Sequence, residues 1–87
     1  PPMSPDADPL GFEAHRGYLR AVARLQLALR PWLAARLDAS DAVQQALLTA
    51  QAHRDQFRGR TPAELAGWLK AILHSTLANL IRLHTQE

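Results

Sequence analysis

The chain has 87 residues, of which 47% are hydrophobic and 21% are charged, and its formal net charge is +2 at pH 7. This length suits one small domain, and the apolar fraction is too high for an intrinsically disordered chain. The absence of cysteine excludes disulfides and thiolate metal sites. Alanine and leucine dominate, which favours helices over strands. No run of about 18 apolar residues is present, so we expect no membrane contact.

The first ten residues differ in composition from the rest of the chain. Residues 1–10 contain four prolines and two aspartates, and we expect a disordered lead-in followed by one helical domain over residues 11–87. The lead-in lacks the basic start and the apolar run of a signal peptide, so a cytoplasmic location is expected.

The first helical pattern extends from Phe12 to Leu29. Apolar residues recur at the spacing of one helix face, at Tyr18, Val22, Leu25 and Leu29. Arginines recur every four residues on another face, at Arg16, Arg20 and Arg24. Pro31 interrupts the helix, and residues 31–37 are expected to form a short helical turn.

A second helix is expected to begin near Asp38 and to run to about His53. Either Asp38 or Ser40 can cap it, and Asp41 lies in its first turn, where the macrodipole favours a carboxylate. Its predicted inward-facing residues are Val43, Leu47 and Ala50.

The last helix has the strongest start signal in the chain. Thr61 is suited to the N-cap, Pro62 to the first helical position and Glu64 to the acidic position of a capping box. Apolar residues cover more than half of its circumference up to about His84, which predicts a central position in the fold. The sequence therefore predicts an all-α bundle of three main helices plus a short helical turn.

No catalytic or metal-binding set is recognisable. The four histidines, at positions 15, 53, 74 and 84, include no i,i+4 pair and no HExxH motif. A lone Gly59 does not make a phosphate-binding loop. We therefore predict no enzymatic activity, no metal and no cofactor.

The second helix carries a polar face suited to a protein partner. Its members are Asp38, Asp41, Gln44, Gln45 and Leu48. Carboxylates and amides can pair with a partner at a polar rim while a leucine anchors the centre. The alternative interpretation is a capping cluster followed by an ordinary solvated face.

The loop from His53 to Arg60 is suited to single-stranded nucleic acid. Its candidate contacts are Arg54, Phe57, Arg58 and Arg60, which provide cations for phosphates and a ring for a base. Phe57 is expected to serve mainly as an apolar plug of the bundle. The last helix adds a candidate polar stripe, formed by Lys70, His74, Ser75, Asn79 and Arg82. The alternative interpretation is again an ordinary solvated face.

The order of these pieces resembles region 2 of bacterial sigma factors, in particular the extracytoplasmic-function group. The D-x-x-D pattern of that group, followed by two hydrophobic positions and a glutamine, is matched over residues 38–48. Its aromatic-Arg-Gly loop is matched over residues 57–59, and its W-L-basic-x-I pattern over residues 68–72. The similarity extends from Phe12 to His84.

This resemblance implies a domain for transcription initiation. The polar face of the second helix would dock on a coiled coil of the largest subunit of core RNA polymerase. The loop and the polar stripe would hold the single-stranded non-template strand of the promoter −10 element, and an anti-sigma factor is a further candidate partner. Three positions depart from the pattern of that group. Gln45 stands where the group usually has a carboxylate, Ser75 where it commonly has an amide, and Leu83 where it has a second basic residue. The alternative is a helical protein-interaction module that keeps the fold without promoter recognition.

Overall fold

The computed structural model describes residues 11–85, and the regular elements in this range are all helical. They are α1 Arg16–Ala28, α2 Pro31–Ala34, α3 Ala39–Ala52 and α4 Pro62–Thr85, with 3-10 turns at Phe12–His15 and Arg54–Gln56. The predicted all-α bundle of three main helices and a short helical turn is confirmed. The predicted lead-in, residues 1–10, lies outside the described residues, and the domain boundary after it stays a prediction. Within residues 11–85 no helix has the length and apolarity needed to span a membrane.

The helix ends follow from local signals in the sequence. Asp38 is the N-cap of α3, and its Oδ1 accepts a hydrogen bond from the Ser40 N–H at 3.1 Å. Of the two candidate caps, the structure therefore selects Asp38. The α-helical part of the first pattern begins only at Arg16, after the 3-10 turn, and Pro31 opens α2 as its first residue.

The core lies where α4 packs against both α3 and α1. Each of these helices contributes one buried row, and the row of α4 consists of Leu65, Leu69, Leu73 and Leu77. The facing side of α3 is rich in alanine, namely Ala39, Ala42, Ala46 and Ala50, alongside Val43 and Leu47. Small side chains allow two helices to approach closely. The predicted burial of the inward-facing residues of α3 is confirmed.

Helix α1 carries two apolar rows, and only one of them is buried. The buried row is formed by Leu19, Ala23 and Leu27. The row that begins at Tyr18 lies on the outside, where Leu25 and Leu29 are 65% and 70% exposed. Val22 of the same row is partly buried against the core, whereas the bundle leaves Tyr18, Leu25 and Leu29 exposed.

Candidate docking face and nucleic-acid groove

The outer side of α3 presents the predicted polar face. Asp38, Asp41, Gln44 and Gln45 are exposed, and Leu48 is 55% exposed. They share this side because the opposite side of the helix is filled by the buried alanines and Val43. No ion pair within residues 11–85 involves either carboxylate of this face. The carboxylates are therefore available to a partner that carries cations.

The loop after α3 is held on the bundle by an aromatic cluster. The ring centroid of Phe57 lies 5.3 Å from that of Trp68, and Trp68 lies 6.1 Å from Phe12, both in tilted arrangements. Such offset pairs stabilise beyond their buried area. Phe57 is half-buried against the core, in agreement with its predicted structural role.

Gly59 allows the loop to pass beneath the Phe57 ring. A Cβ at position 59 would lie 2.6 Å from Cζ and 2.7 Å from Cε1 of Phe57, and 2.8 Å from Cβ of Glu64. Any larger residue would force the ring or the start of α4 to move. The aromatic-Arg-Gly order therefore has a steric cause in this fold.

A capping box fixes the end of the loop to α4, as predicted. Oε1 of Glu64 accepts hydrogen bonds from the Arg60 N–H at 2.6 Å and from the Thr61 N–H at 3.0 Å. In return, the Glu64 N–H donates to Oγ1 of Thr61 at 3.1 Å. The backbone donors, Arg60 first, hold the pKa of the Glu64 carboxyl below its ordinary value of 4.5.

This lowered pKa predicts an acid-sensitive cap. The carboxylate of Glu64 contributes stability above about pH 4.5, and that contribution is lost as the pH falls through the lower pKa of the folded state. Between about pH 5 and about pH 3, the melting temperature of the wild type should therefore fall more steeply than that of Glu64→Gln. Thermal unfolding followed by circular dichroism checks this, and equal slopes would contradict it.

The loop also presents a cluster of exposed arginines. Arg54, Arg58 and Arg60 all lie within seven residues of chain and are exposed. One Nη1–H of Arg58 donates to the carbonyl of Asp55 at 2.8 Å, which braces the loop. A guanidinium has five donors, so most of those of Arg58 remain available to a phosphate.

A continuous groove runs between α3 and α4 beside this loop. Its first part has a volume of about 350 Å³ and is bounded by Thr49, His53, Gln56, Trp68, Ile72, Ser75, Thr76 and Asn79, among others. The second part, about 310 Å³, shares Thr49, Thr76 and Asn79 with the first and adds Gln45 and Arg82. Gln45 thus lies where the polar face of α3 meets the groove.

The groove brings together only three of the five residues predicted to form a stripe on α4. Ser75, Asn79 and Arg82 line it, and Nη2 of Arg82 donates to Oδ1 of Asn79 at 2.6 Å. His74 instead lines a separate cavity with Gln26 and Arg30 of the α1 side.

The prediction of a single stripe is therefore wrong. Lys70 lies one turn before His74, on the same line of the helix. At 3.6 residues per turn, positions 70 and 74 fall on one side of the buried leucine row, whereas positions 75, 79 and 82 fall on the other.

Several groove residues were not among the predicted contacts. Nδ1 of His53 lies 3.0 Å from the carbonyl oxygen of Thr49. Because a carbonyl only accepts, this nitrogen carries the proton and Nε2 is left for another partner. Trp68 also lines the groove, and its side chain is partly buried against the core. Thr49 follows Gln45 by one helical turn, and this spacing is the one sequence signal that could have placed Thr49 beside the polar face.

These features define a small all-α domain with an acidic-polar outer face on α3 and a groove that is lined by Arg82 and lies next to an arginine-rich loop. The family model for sigma-70 region 2 matches residues 12–86, and the chain belongs to this family. Membership implies binding to core RNA polymerase and a general part in promoter melting, as a transcription-factor domain rather than a member of an enzyme family. No curated protein and no solved structure matches the chain significantly.

Proposed function

We propose that the chain is the region 2 domain of an extracytoplasmic-function-type sigma factor. It binds core polymerase through α3 and holds the non-template strand of the promoter −10 element in the groove between α3 and α4. The observation that carries this proposal is a groove that offers polar groups, an indole and Arg82, next to a loop whose three arginines are exposed. A protein with this function acts in the cytoplasm, where polymerase and promoter meet.

The proposed DNA contacts divide into phosphate and base contacts. Arg54, Arg58 and Arg60 provide charge along the loop, and Arg82 provides it at the far end of the groove. Between them, hydroxyl and amide groups can hydrogen-bond unpaired bases, and aromatic rings can stack on them. Phe57 contributes mainly by shaping the loop.

The strand enters this groove only after its bases have separated from those of the template strand. Its capture therefore needs no energy source other than the free energy of binding. Lys70 and His74, on the other flank of α4, meet the strand only if it wraps around the helix.

The proposed polymerase contact is the polar face of α3 on a coiled coil of the largest subunit. Leu48 would be the apolar anchor, and Asp41 and Gln44 would pair with cationic and backbone groups around it. This arrangement is supported by the exposure of all three residues and by the lack of ion pairs at Asp41 within the described part of the chain, residues 11–85. An anti-sigma factor remains a candidate partner to which no residue is assigned.

One observation favours the alternative, a protein-interaction module without promoter recognition. Leu83 is 60% exposed and lines the far end of the groove beside Arg82, where a second basic residue would suit a phosphate. Ser75 offers a shorter hydrogen-bonding group than an amide would. Both positions therefore lower the DNA affinity that the groove can reach.

Loss of the loop cations provides the test of DNA capture. Replacement of Arg58 and Arg60 together by alanine should weaken binding of single-stranded −10-like DNA by about 1.5–3 kcal/mol, because charge-assisted contacts are lost. The plot of the logarithm of the association constant against the logarithm of the salt concentration should become shallower, its slope decreasing in magnitude by about 0.7 for each phosphate contact removed. A fluorescence anisotropy titration at several salt concentrations measures both. The matched control is Arg24→Ala with Arg36→Ala, since these exposed arginines lie away from the groove.

The same titration separates the two candidate functions. Ser75→Asn with Leu83→Arg should tighten selective binding if the groove is arranged for a strand. Unchanged affinity on loss of the loop arginines would show that the loop is only a connector. Selective binding in neither the wild type nor the Ser75→Asn, Leu83→Arg variant would favour the interaction module.

A further inference from the structure

A cavity lies between α1, α2 and α4, across the buried leucine row of α4 from the groove. Its volume is about 190 Å³, which is room for about six water molecules at roughly 30 Å³ each. Buried leucines of all three helices contribute to its lining, and we call it the α1–α4 cavity. It shares no residue with the groove or with the polar face of α3.

The α1–α4 cavity has an apolar floor and a polar rim. The floor is formed by side chains that the bundle buries, namely Leu27, Leu33 and Leu77. At the rim, Arg30 and Gln26 are half-buried and His74 is exposed. A small apolar site with a few convergent polar groups is the usual form of a small-molecule site.

The backbone fixes the position of Arg30 at this rim. Arg30 is the N-cap residue of α2, and its N–H donates a hydrogen bond to the carbonyl of Leu27 at 2.9 Å. Its own carbonyl accepts hydrogen bonds from the N–H groups of Leu33 at 2.9 Å and Ala34 at 3.0 Å. A side chain that starts from a fixed backbone loses less freedom when a ligand binds, which favours affinity.

The charge at the α1–α4 cavity is of one sign. None of the eight described residues that line it is acidic. The segments that form its walls, residues 14–37 and 65–85, contain no aspartate or glutamate. The cavity beside the start of α3 differs, because Asp38 and Asp41 line it together with its arginines. Arg30 has no ion pair within the described part of the chain, so an anion in the α1–α4 cavity would gain a charge-assisted hydrogen bond.

We propose that the α1–α4 cavity binds a small monocarboxylate with a short apolar chain, such as a short-chain fatty acid. The carboxylate pairs with the guanidinium of Arg30, and the amide of Gln26 and the ring of His74 provide further N–H donors. The apolar chain of the ligand covers the leucine floor. A phosphate ion would leave this floor uncovered, and a neutral apolar ligand would leave the guanidinium unpaired. The inference does not depend on the proposed polymerase or DNA contacts.

The first arm of the test compares three ligands of the 87-residue chain by NMR titration of its backbone amides. The ligands are hexanoate, hexanol and inorganic phosphate, which separate the charged head from the apolar chain. Hexanoate should shift the amide signals of residues 26–34 and 74–81 saturably. The other two ligands should bind at least about tenfold more weakly, because each lacks one half of the interaction.

The second arm uses matched pairs of variants. Arg30→Gln should weaken hexanoate binding by at least about tenfold. Arg36→Gln, the same change at an exposed arginine outside the cavity, should alter it by less than about twofold. Ala78→Leu should abolish binding, because the larger side chain fills an exposed position of the lining without disturbing the core. Ala63→Leu, at an exposed position of α4 outside the cavity, should leave binding unchanged.

Four results would overturn the proposal. They are binding of hexanol or of phosphate as tightly as hexanoate, hexanoate binding by folded Arg30→Gln at the wild-type affinity, hexanoate binding by Ala78→Leu at the wild-type affinity, and saturable shifts confined to residues outside the two cavity segments. Circular dichroism establishes that each variant is folded, and Ala78→Leu tests the site even if Arg30→Gln does not fold.

Discussion

Replacement of Asp41 and Gln44 together by lysine is expected to abolish binding of the chain to core RNA polymerase. Both residues lie on the exposed side of α3, Gln44 one turn and Asp41 two turns before the exposed Leu48, and neither side chain has a partner within residues 11–85 that the change would remove. Truncating or reversing one partner of an interfacial charged pair costs about 2–5 kcal/mol, which is roughly thirtyfold or more in Kd. Pull-down of purified core polymerase, followed by a titration, measures the loss.

The fold itself should survive this double change. Lysine in the first turn of α3 opposes the macrodipole and costs about 0.3–1 kcal/mol, so the helical circular dichroism should be retained. Ala21→Lys with Ala28→Lys adds comparable charge at exposed positions of α1 and should leave polymerase binding intact. If polymerase is still bound after Asp41 and Gln44 are changed, the assignment of the docking face to α3 is wrong.

The largest loss of stability is expected from Leu69→Ala. This side chain is 1% exposed and lies in the middle of the buried row of α4, which contacts both α1 and α3. Truncation of a buried leucine costs about 2–5 kcal/mol, because a cavity is added to the lost transfer energy. A small domain has only about 5–15 kcal/mol in total, so this one change can unfold a large part of the population. Urea unfolding followed by circular dichroism measures the free energy.

Leu83→Ala is the matched control for this stability prediction. Leu83 lies on the same helix, but it is 60% exposed. The same chemical truncation there should change the free energy of unfolding by no more than about 0.5 kcal/mol. Comparable effects of the two substitutions would mean that the buried row of α4 does not hold the bundle together.

The sequence alone was sufficient for the number of helices and for the starts of α3 and α4, although not for the start of α1. The capping box at Thr61 and Glu64 is a local pattern whose atoms lie within one turn of each other, so no knowledge of the rest of the fold was needed. The central position of α4 was also predictable, because a helix with apolar residues around more than half of its circumference must be covered on several sides. The all-α class followed from the same patterns.

The site was only partly predictable. That Asp41, Gln44 and Leu48 share an exposed face follows from their spacing, and the structure has them exposed. Their role in polymerase binding stays a prediction. The steric need for Gly59 could not be foreseen, because it depends on where the ring of Phe57 lies over the loop.

By itself, then, the sequence determined the helical class, the boundaries of α3 and α4 to within a residue or so, and the residues of the α3 face. Hydrogen bonds and side-chain spacing within one helix are local properties. Only the tertiary structure decided which of the two apolar rows of α1 is fully buried, since both have helical spacing. It also decided that Ser75, Asn79 and Arg82 line the groove whereas His74 faces the α1 side. Those outcomes depend on the direction from which neighbouring helices pack, and that direction is set by the shape of the whole core rather than by any single segment.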